Sequence, residues 1–329
     1  MKENQMKENQ MPDNSKFVFF KKRFLIVVIC FFMISIVSGC SAVSSLKKQT
    51  KKVTGILRAD SHLIKKAAVL ISTETGSFSG QPFQKLFQMN LFDSIKDQCP
   101  DILLMFPGDD FYPKQLLDLS IQTSDQTSDQ IDNFALAKIG RNLGLNAIIL
   151  VKPLEIEAKE KEKGFWLLKD THYFGIVQTE IEVYNTATGA KLLHESLDRE
   201  AEISGTDFDS VKSGKIADIY ELDEAAEEVA GQAGNLICEI IGKQAWQGYI
   251  ISVKNNKITL SSGRESGLEP GEILDVFENR ESIISKYGKF LVPGQKIGEI
   301  KITAVFLGKS EAVTLEGTEI KEGCLVRPK

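Results

Sequence analysis

Histidine is scarce, with three in 329 residues, at positions 62, 172 and 194. With so few, and with no HExxH and no clustered Cys/His set, a dedicated zinc site has nothing to be built from. A phosphate-binding GxxxxGK[ST] loop is also missing. Gly76-Ser77-Phe78-Ser79-Gly80 has the outer glycines of a nucleophile elbow but Phe at its centre, so it reads as a plain turn. Asp109-Asp110 follows a Pro-Gly turn, where neighbouring acids are ordinarily solvated. No constellation for turnover emerges, so the expectation is a protein that is not an enzyme and uses no cofactor. Long apolar runs are lacking too. The longest, Phe24–Val37, has 14 residues, short of the roughly 20 that a spanning helix needs.

What stands around that run gives it a meaning. Lys21, Lys22 and Arg23 precede it as a basic flank, and Val37-Ser38-Gly39-Cys40 closes it with two small residues and a thiol. This stretch resembles the lipobox of bacterial lipoproteins, with Val37 where the family prefers Leu. The resemblance implies that residues 1–39 are a signal peptide and that Cys40 carries lipid, palmitate included. It also implies a mature chain anchored to a membrane outside the cytoplasm. Ser41 after the cysteine points to the outer membrane, facing the periplasm, under enterobacteria-like sorting. Ahead of the signal, Met1-Lys2-Glu3-Asn4-Gln5 is repeated at once, and Met11 would give a signal of more usual length.

Without residues 1–39 the chain has 34 basic and 42 acidic residues, a formal charge of −8. An acidic body argues against nucleic acid, whose phosphates need a basic face. Lys47, Lys48, Lys51, Lys52, Arg58, Lys65 and Lys66 crowd the start of the mature chain. Residues 40–64 read as a basic tether, with attraction to anionic headgroups as the sharper alternative. Cys99, Cys238 and Cys324 remain; one disulfide and three buried thiols both fit an odd number.

Residues 65–245 read as an α/β domain. KAAVLIS (66–72) and Asp101–Phe106 are short strands. Phe83, Leu86, Phe87, Leu91, Phe92 and Ile95 line one face of a helix opened by Pro82. After the tandem TSDQ of Gln122–Gln130, a low-complexity loop, a second helix shows Ile131, Phe134, Ala135, Ala137, Ile139 and Leu143. Asn146–Leu154 is apolar enough for a central strand. The charged patch Glu155–Lys163 is expected to separate it from two long strands, 172–184 and 191–203, joined by Asn185–Gly189. Residues 204–218 read as a polar loop. Ile219 to Ile241 forms the clearest helical stripe.

From 246 to 329 the texture becomes short strands and turns. Strands are expected at 248–254, 257–261, 272–277, 297–306, 310–315 and 323–327. Asn255-Asn256 marks a tight hairpin, glycines crowd 263–271, and Leu268 is expected to plug the core between them. Six strands in so short a length suggest a closed barrel. The fold class is therefore α+β: an α/β sandwich-like domain with a mixed sheet, then a small all-β barrel.

Two further resemblances follow. Gly248-Tyr249-Ile250-Ile251, Ile258-Thr259-Leu260, the SGLEPGEILDVFE run, Ile297–Ile300 and Ile320–Val326 resemble the C-terminal domain of flagellar assembly protein T. More loosely, the AVLIS strand, the helix from Phe83, the Ala137–Ile149 segment and the VYNTATGAKLL hairpin resemble the α/β fold of curli secretion channel and peptidoglycan-synthase activator lipoproteins. They imply binding in the assembly or stabilisation of an envelope complex, with a flagellar association, or alternatively a subunit of an oligomeric secretion channel. An envelope protein is the expected partner besides the membrane, and a homo-oligomer is compatible. Contact is expected at the hairpin edge around Glu180 and Glu182 and at the loop Gly267–Gly271.

Overall fold

Five apolar residues in a row cannot alternate between core and water, so a strand built from them must be covered on both faces. This is the case for β1 (Lys65–Ile71), in which Ala67, Ala68 and Val69 are wholly buried. The computed structural model describes residues 62–71, 82–109, 112–116, 132–152, 154–165, 168–216, 219–285 and 288–329. The signal segment, Cys40, the tether up to Ser61, the Gly76–Gly80 turn, Asp110 and the tandem TSDQ segment lie outside the described residues.

β1 pairs in parallel with β2 (Ile102–Met105) on one side and β3 (Ala147–Val151) on the other. β5 (Leu168–Asn185) continues the sheet antiparallel. One of its edges pairs with β3 through Ile181–Asn185 and with β4 (Glu155–Phe165) through Leu168–Gln178. Its other edge pairs with β6 (Lys191–Ile203).

Helices α1 (Pro82–Gln98) and α4 (Tyr220–Gly242) cover one face of this mixed sheet. Phe83, Phe87, Leu91 and Ile95 recur every fourth position on α1 and are all buried. Each such side chain contributes about 1.5–3 kcal/mol by leaving water. The α4 stripe is rich in Ala, which lets α1 approach closely; a Cβ at Gly234 would collide with Ser94. A disulfide between Cys99 and Cys238 ties the end of α1 to α4, resolving the open pairing. Cys324 is a buried thiol in the barrel.

The other face is covered only in part, by α2 (Asn133–Asn142) and residues 112–116 over β1 and β3. Asp132 caps α2, accepting from the Phe134 and Ala135 amides at 3.0 and 3.2 Å. Its buried side runs through Leu136, Ala137, Gly140 and Arg141. The expected stripe through Phe134 and Ala135 is therefore rotated. Phe134 is half-buried on another side of the helix, with the Lys289 ammonium 4.0 Å above its ring.

Two expectations are corrected here. The charged patch Glu155–Lys163 is a strand, β4, because β5 runs on past the end of β3 and its exposed amides and carbonyls need partners. Residues 204–218 include a helix, α3 (Gly205–Lys212), capped by Ser204 and buried through Phe208 and Val211.

The C-terminal strands are β7 (Gly248–Lys254), β8 (Lys257–Leu260), β9 (Ile273–Ser285), β10 (Gly288–Phe306), β11 (Lys309–Gly317) and β12 (Leu325–Pro328). They close into an antiparallel barrel in the order β10-β11-β8-β7-β12-β9. Asn255 and Asn256 both take positive φ, 48° and 66°, which the tight β7–β8 turn demands. Leu268 is 3% exposed and fills the core with Ile258, Leu260, Ile300 and Ile302. β9 and β10 run on to Ser285 and from Gly288, well past the expected 277 and 297. Charged residues, Pro293 and shifts of register hide the alternation there.

Sheet and barrel share a seam. Asn146, 2% exposed, bonds Lys66 through both main chain and side chain and donates its side-chain amide to Gln247 O at 2.9 Å. The Lys66 ammonium reaches Ser261 O at 3.0 Å and Glu265 at 3.1 Å. Leu63, just ahead of β1, is buried in the barrel core.

Candidate binding face

Residues i and i+2 of a strand share a face, and this rule builds the site. On β5 the odd positions Val177, Ile181 and Val183 are wholly buried beneath α1 and α4. The even positions point the other way. Tyr184 lies under the layer that α2 belongs to; Glu182 beside it is 6% exposed, while Glu180 and Gln178 beyond it are half-buried. Pairing aligns them with His194, Ser196 and Asp198 of β6, and with Glu155 and Glu157 of β4 near Gln178 and Ile176. The outcome is a sheet face that is apolar and covered at one end, charged and open at the other.

Its tightest cluster is Glu180, Glu182 and His194, one potential ligand atom from each lying within 4.8 Å of the others. His194 Nδ1 is 2.8 Å from Glu182 Oε1, and its Nε2 is 3.6 Å from Glu180 Oε1. Cations are already supplied by lysines: Lys191 donates to Glu182 at 2.5 Å and Lys152 to Glu180 at 2.8 Å. The Tyr184 hydroxyl also donates to Glu182. Burial would raise the Glu182 carboxyl, but the hydrogen bonds from Lys191 and Tyr184 outweigh it and hold the group below its ordinary range. Tyr184 is pushed upward by burial and by the Glu182 carboxylate it serves. The arrangement is a charge-balanced network in which each carboxylate is paired within the protein.

Farther along, Lys161 pairs with Glu200, and His172 Nδ1 lies 2.6 Å from Glu202. Phe174, 5% exposed, is shielded by the Lys161 and Lys163 ammonium groups, each 4.8 Å from its ring. His172 and His194 were legible as strand residues. Their carboxylate partners were not, because register is a tertiary property.

The expected contact at Glu180 and Glu182 was backbone pairing at a free edge. Both residues lie on β5, which is paired on both sides, and Glu180 O already accepts from Lys152 N at 2.9 Å. Among the described residues, the outer side of β6 is the hairpin's unpaired edge, and what Glu180 and Glu182 offer is side chains. At the second expected surface, Gly267 (φ +78°) lies against His62 O, where a Cβ would collide. Gly271 (φ +101°) has open space about its Cα and donates to Ile302 O at 2.8 Å. The loop is thus closed at its first glycine and open at its last.

A crevice of about 510 Å³ separates α2 from the barrel, lined by Lys138, Arg141, Tyr249, Lys289 and Glu322. Arg141, 8% exposed, donates to Thr186 O at 3.0 Å and also to Ala187 O. Tyr249 shares a 2.9 Å hydrogen bond with Thr186. Burial lowers the Arg141 guanidinium and pushes the Tyr249 hydroxyl up to about 12. These groups join the β5–β6 turn to the barrel.

No protein-family model and no curated protein sequence matches the chain. Among solved structures, a hypothetical protein, CT253, from Chlamydia trachomatis matches at 10% identity and a TM-score of 0.34, over 55% of this chain and 99% of that one. A minor lipoprotein from Acinetobacter baumannii matches at 10% identity and 0.28, over 53% and 93%. Lipoprotein GNA1162 from Neisseria meningitidis matches at 9% and 0.25, over 46% and 93%. Scores of this size carry neither fold nor function from those proteins to this one. Among the described residues, no helix is long and apolar enough to cross a membrane.

Proposed function

We propose that the protein is an envelope lipoprotein, anchored through Cys40, that works by binding another envelope protein on the open face of β4, β5 and β6. The observation that carries this reading is the charged continuation of a sheet face beyond the layer that covers it. There, Glu180, Glu182 and His194 converge beside Lys152 and Lys191. Complementary charge of this kind selects partners and fixes register more than it adds raw affinity. A role in assembling an envelope complex, with a flagellar association, rests on the resemblance of residues 246–328. Anchoring rests on the basic flank, the short apolar run and the lipobox-like Val37–Cys40; outer-membrane placement rests on Ser41.

The channel reading is disfavoured by β4. A membrane barrel needs strands that alternate apolar and polar, whereas Lys159 to Lys163 carries charge at every position. Two experiments test the proposal. A photo-crosslinking residue replacing Ser196, which faces Glu180 across the pair, should give one discrete product in intact cells. The same residue at Met89, 54% exposed on α1, should not. Glu180→Lys with His194→Glu should abolish the product; a product that survives this reversal sinks the assigned face. Mass spectrometry of the mature N-terminus should find acylated Cys40, and Cys40→Ala should leave an unlipidated precursor.

A further inference from the structure

Leu307 is 71% exposed and occupies, with Gly308, the two-residue turn between β10 and β11; Phe306 before it is 43% exposed. Turns at hairpin tips are ordinarily polar, but this one reads Phe306-Leu307-Gly308-Lys309, with the Lys309 ammonium 6.0 Å from the Phe306 ring. Beside the tip opens a groove of about 590 Å³ lined by Leu103, Met105, Pro113 and Leu143. Leu103, on β2, is itself 39% exposed. The acids nearby are already engaged. Glu265 holds the Lys66 ammonium and the Gly308 amide, and Asp109 accepts from the Phe106 amide at 2.7 Å.

The short turn Arg264–Ser266 decides what covers this patch. Glu265 accepts from Gly308 N at 2.7 Å, which pins the apolar tip to one side of the turn. Ser266 O accepts from Ile64 N at 3.0 Å, which pins the beginning of the described chain to the other. The apolar tip and the point where the chain from Cys40 joins the fold are thus held by the same three residues.

We infer that the Phe306–Leu307 tip, with the adjoining Leu103 groove, is a membrane-contact surface resting at the headgroup–acyl boundary of the bilayer to which Cys40 is anchored. This rests on the lipid-anchor reading. Twenty-one residues separate Cys40 from His62, a span of at most about 80 Å when fully extended. The point where the chain enters the fold therefore stays within that reach of the bilayer, and the tip is held beside it. Two apolar side chains make a weak contact alone, but tethering turns that contact into an intramolecular one at high effective concentration. Lys309 beside the tip, and the basic residues at 47, 48, 51, 52 and 58, suit an anionic surface.

The test uses full-length, lipidated protein carrying Leu307→Cys, labelled with an environment-sensitive fluorophore. Cys324 is buried and Cys99 is joined to Cys238, so the label goes to the new thiol. The comparison is Tyr220→Cys, a site 73% exposed at the start of α4. In vesicles of phosphatidylethanolamine and phosphatidylglycerol, the dye at 307 should shift to the blue and be quenched by spin-labelled lipid. The dye at 220 should do neither. Protein that floats with the vesicles while the dye at 307 behaves like that at 220 overturns the inference and leaves the anchor standing. A blue shift insensitive to spin-labelled lipid assigns the tip to a second copy and also overturns it. Protein with Cys40 intact that stays off the vesicles defeats the anchor reading and this inference together.

Discussion

The two faces of β5 are made of the same eighteen residues and behave in opposite ways. Beneath α1 and α4, Val177, Ile181 and Val183 are wholly buried and add to a core that a disulfide closes. One residue along, Gln178, Glu180 and Glu182 form a polar face, with Glu182 buried in its ion pairs and the other two half-buried. Core and binding face therefore share one register, and a slip of a single residue would exchange them. The apolar face fixes the charged one in place.

Breaking the covered face should have the largest effect. Ile181→Ala removes a wholly buried side chain and should cost about 2–5 kcal/mol in chemical denaturation. The photo-crosslink at 196 should persist as long as the protein is folded. Next comes reduction of Cys99–Cys238, or replacement of both by Ser. The bond closes a loop of 139 residues, and its loss should lower stability by about 2–4 kcal/mol. Amide exchange should rise first in α1 and α4.

Acid should act on the open face. The Glu182 carboxyl is held below its unfolded value, so its contribution is full above about pH 4.3, the unfolded carboxyl value, and fades as pH falls through the lower folded value. Glu182→Gln should flatten the acid limb of the stability–pH curve and leave its shape near neutrality unchanged. The smallest effect is expected for His194→Ala. With the side chain 55% exposed, the loss should stay within about 0.5–1 kcal/mol. Crosslinking at 196 should nevertheless weaken, separating recognition from stability.

Much of the fold was legible because its signals are local. The KAAVLIS run, the fourfold spacing on α1, the α4 stripe and Asn255-Asn256 each carry their own explanation. Elements that exist for a neighbour's sake were illegible. β4 has charge on both faces and forms because β5 outruns β3. α3 shows only Phe208 and Val211 to a core that lies elsewhere in sequence. In the site, Glu180 and Glu182 were marked by polar letters in a long strand. Their meeting with His194 depends on a register that spans the hairpin, and the Lys152 contact depends on a strand from another part of the chain.

Leu63 gives the molecule a mechanical character. It belongs to the barrel core although it precedes the first strand of the sheet, and Ile64 is bonded to the barrel turn at Ser266. A pull on the residues preceding His62 is therefore not delivered to the end of β1 alone. It divides between barrel and sheet at a junction where Lys66, Asn146, Gln247 and Glu265 cross-brace the two. A load on that entry point would therefore reach both halves of the fold at once.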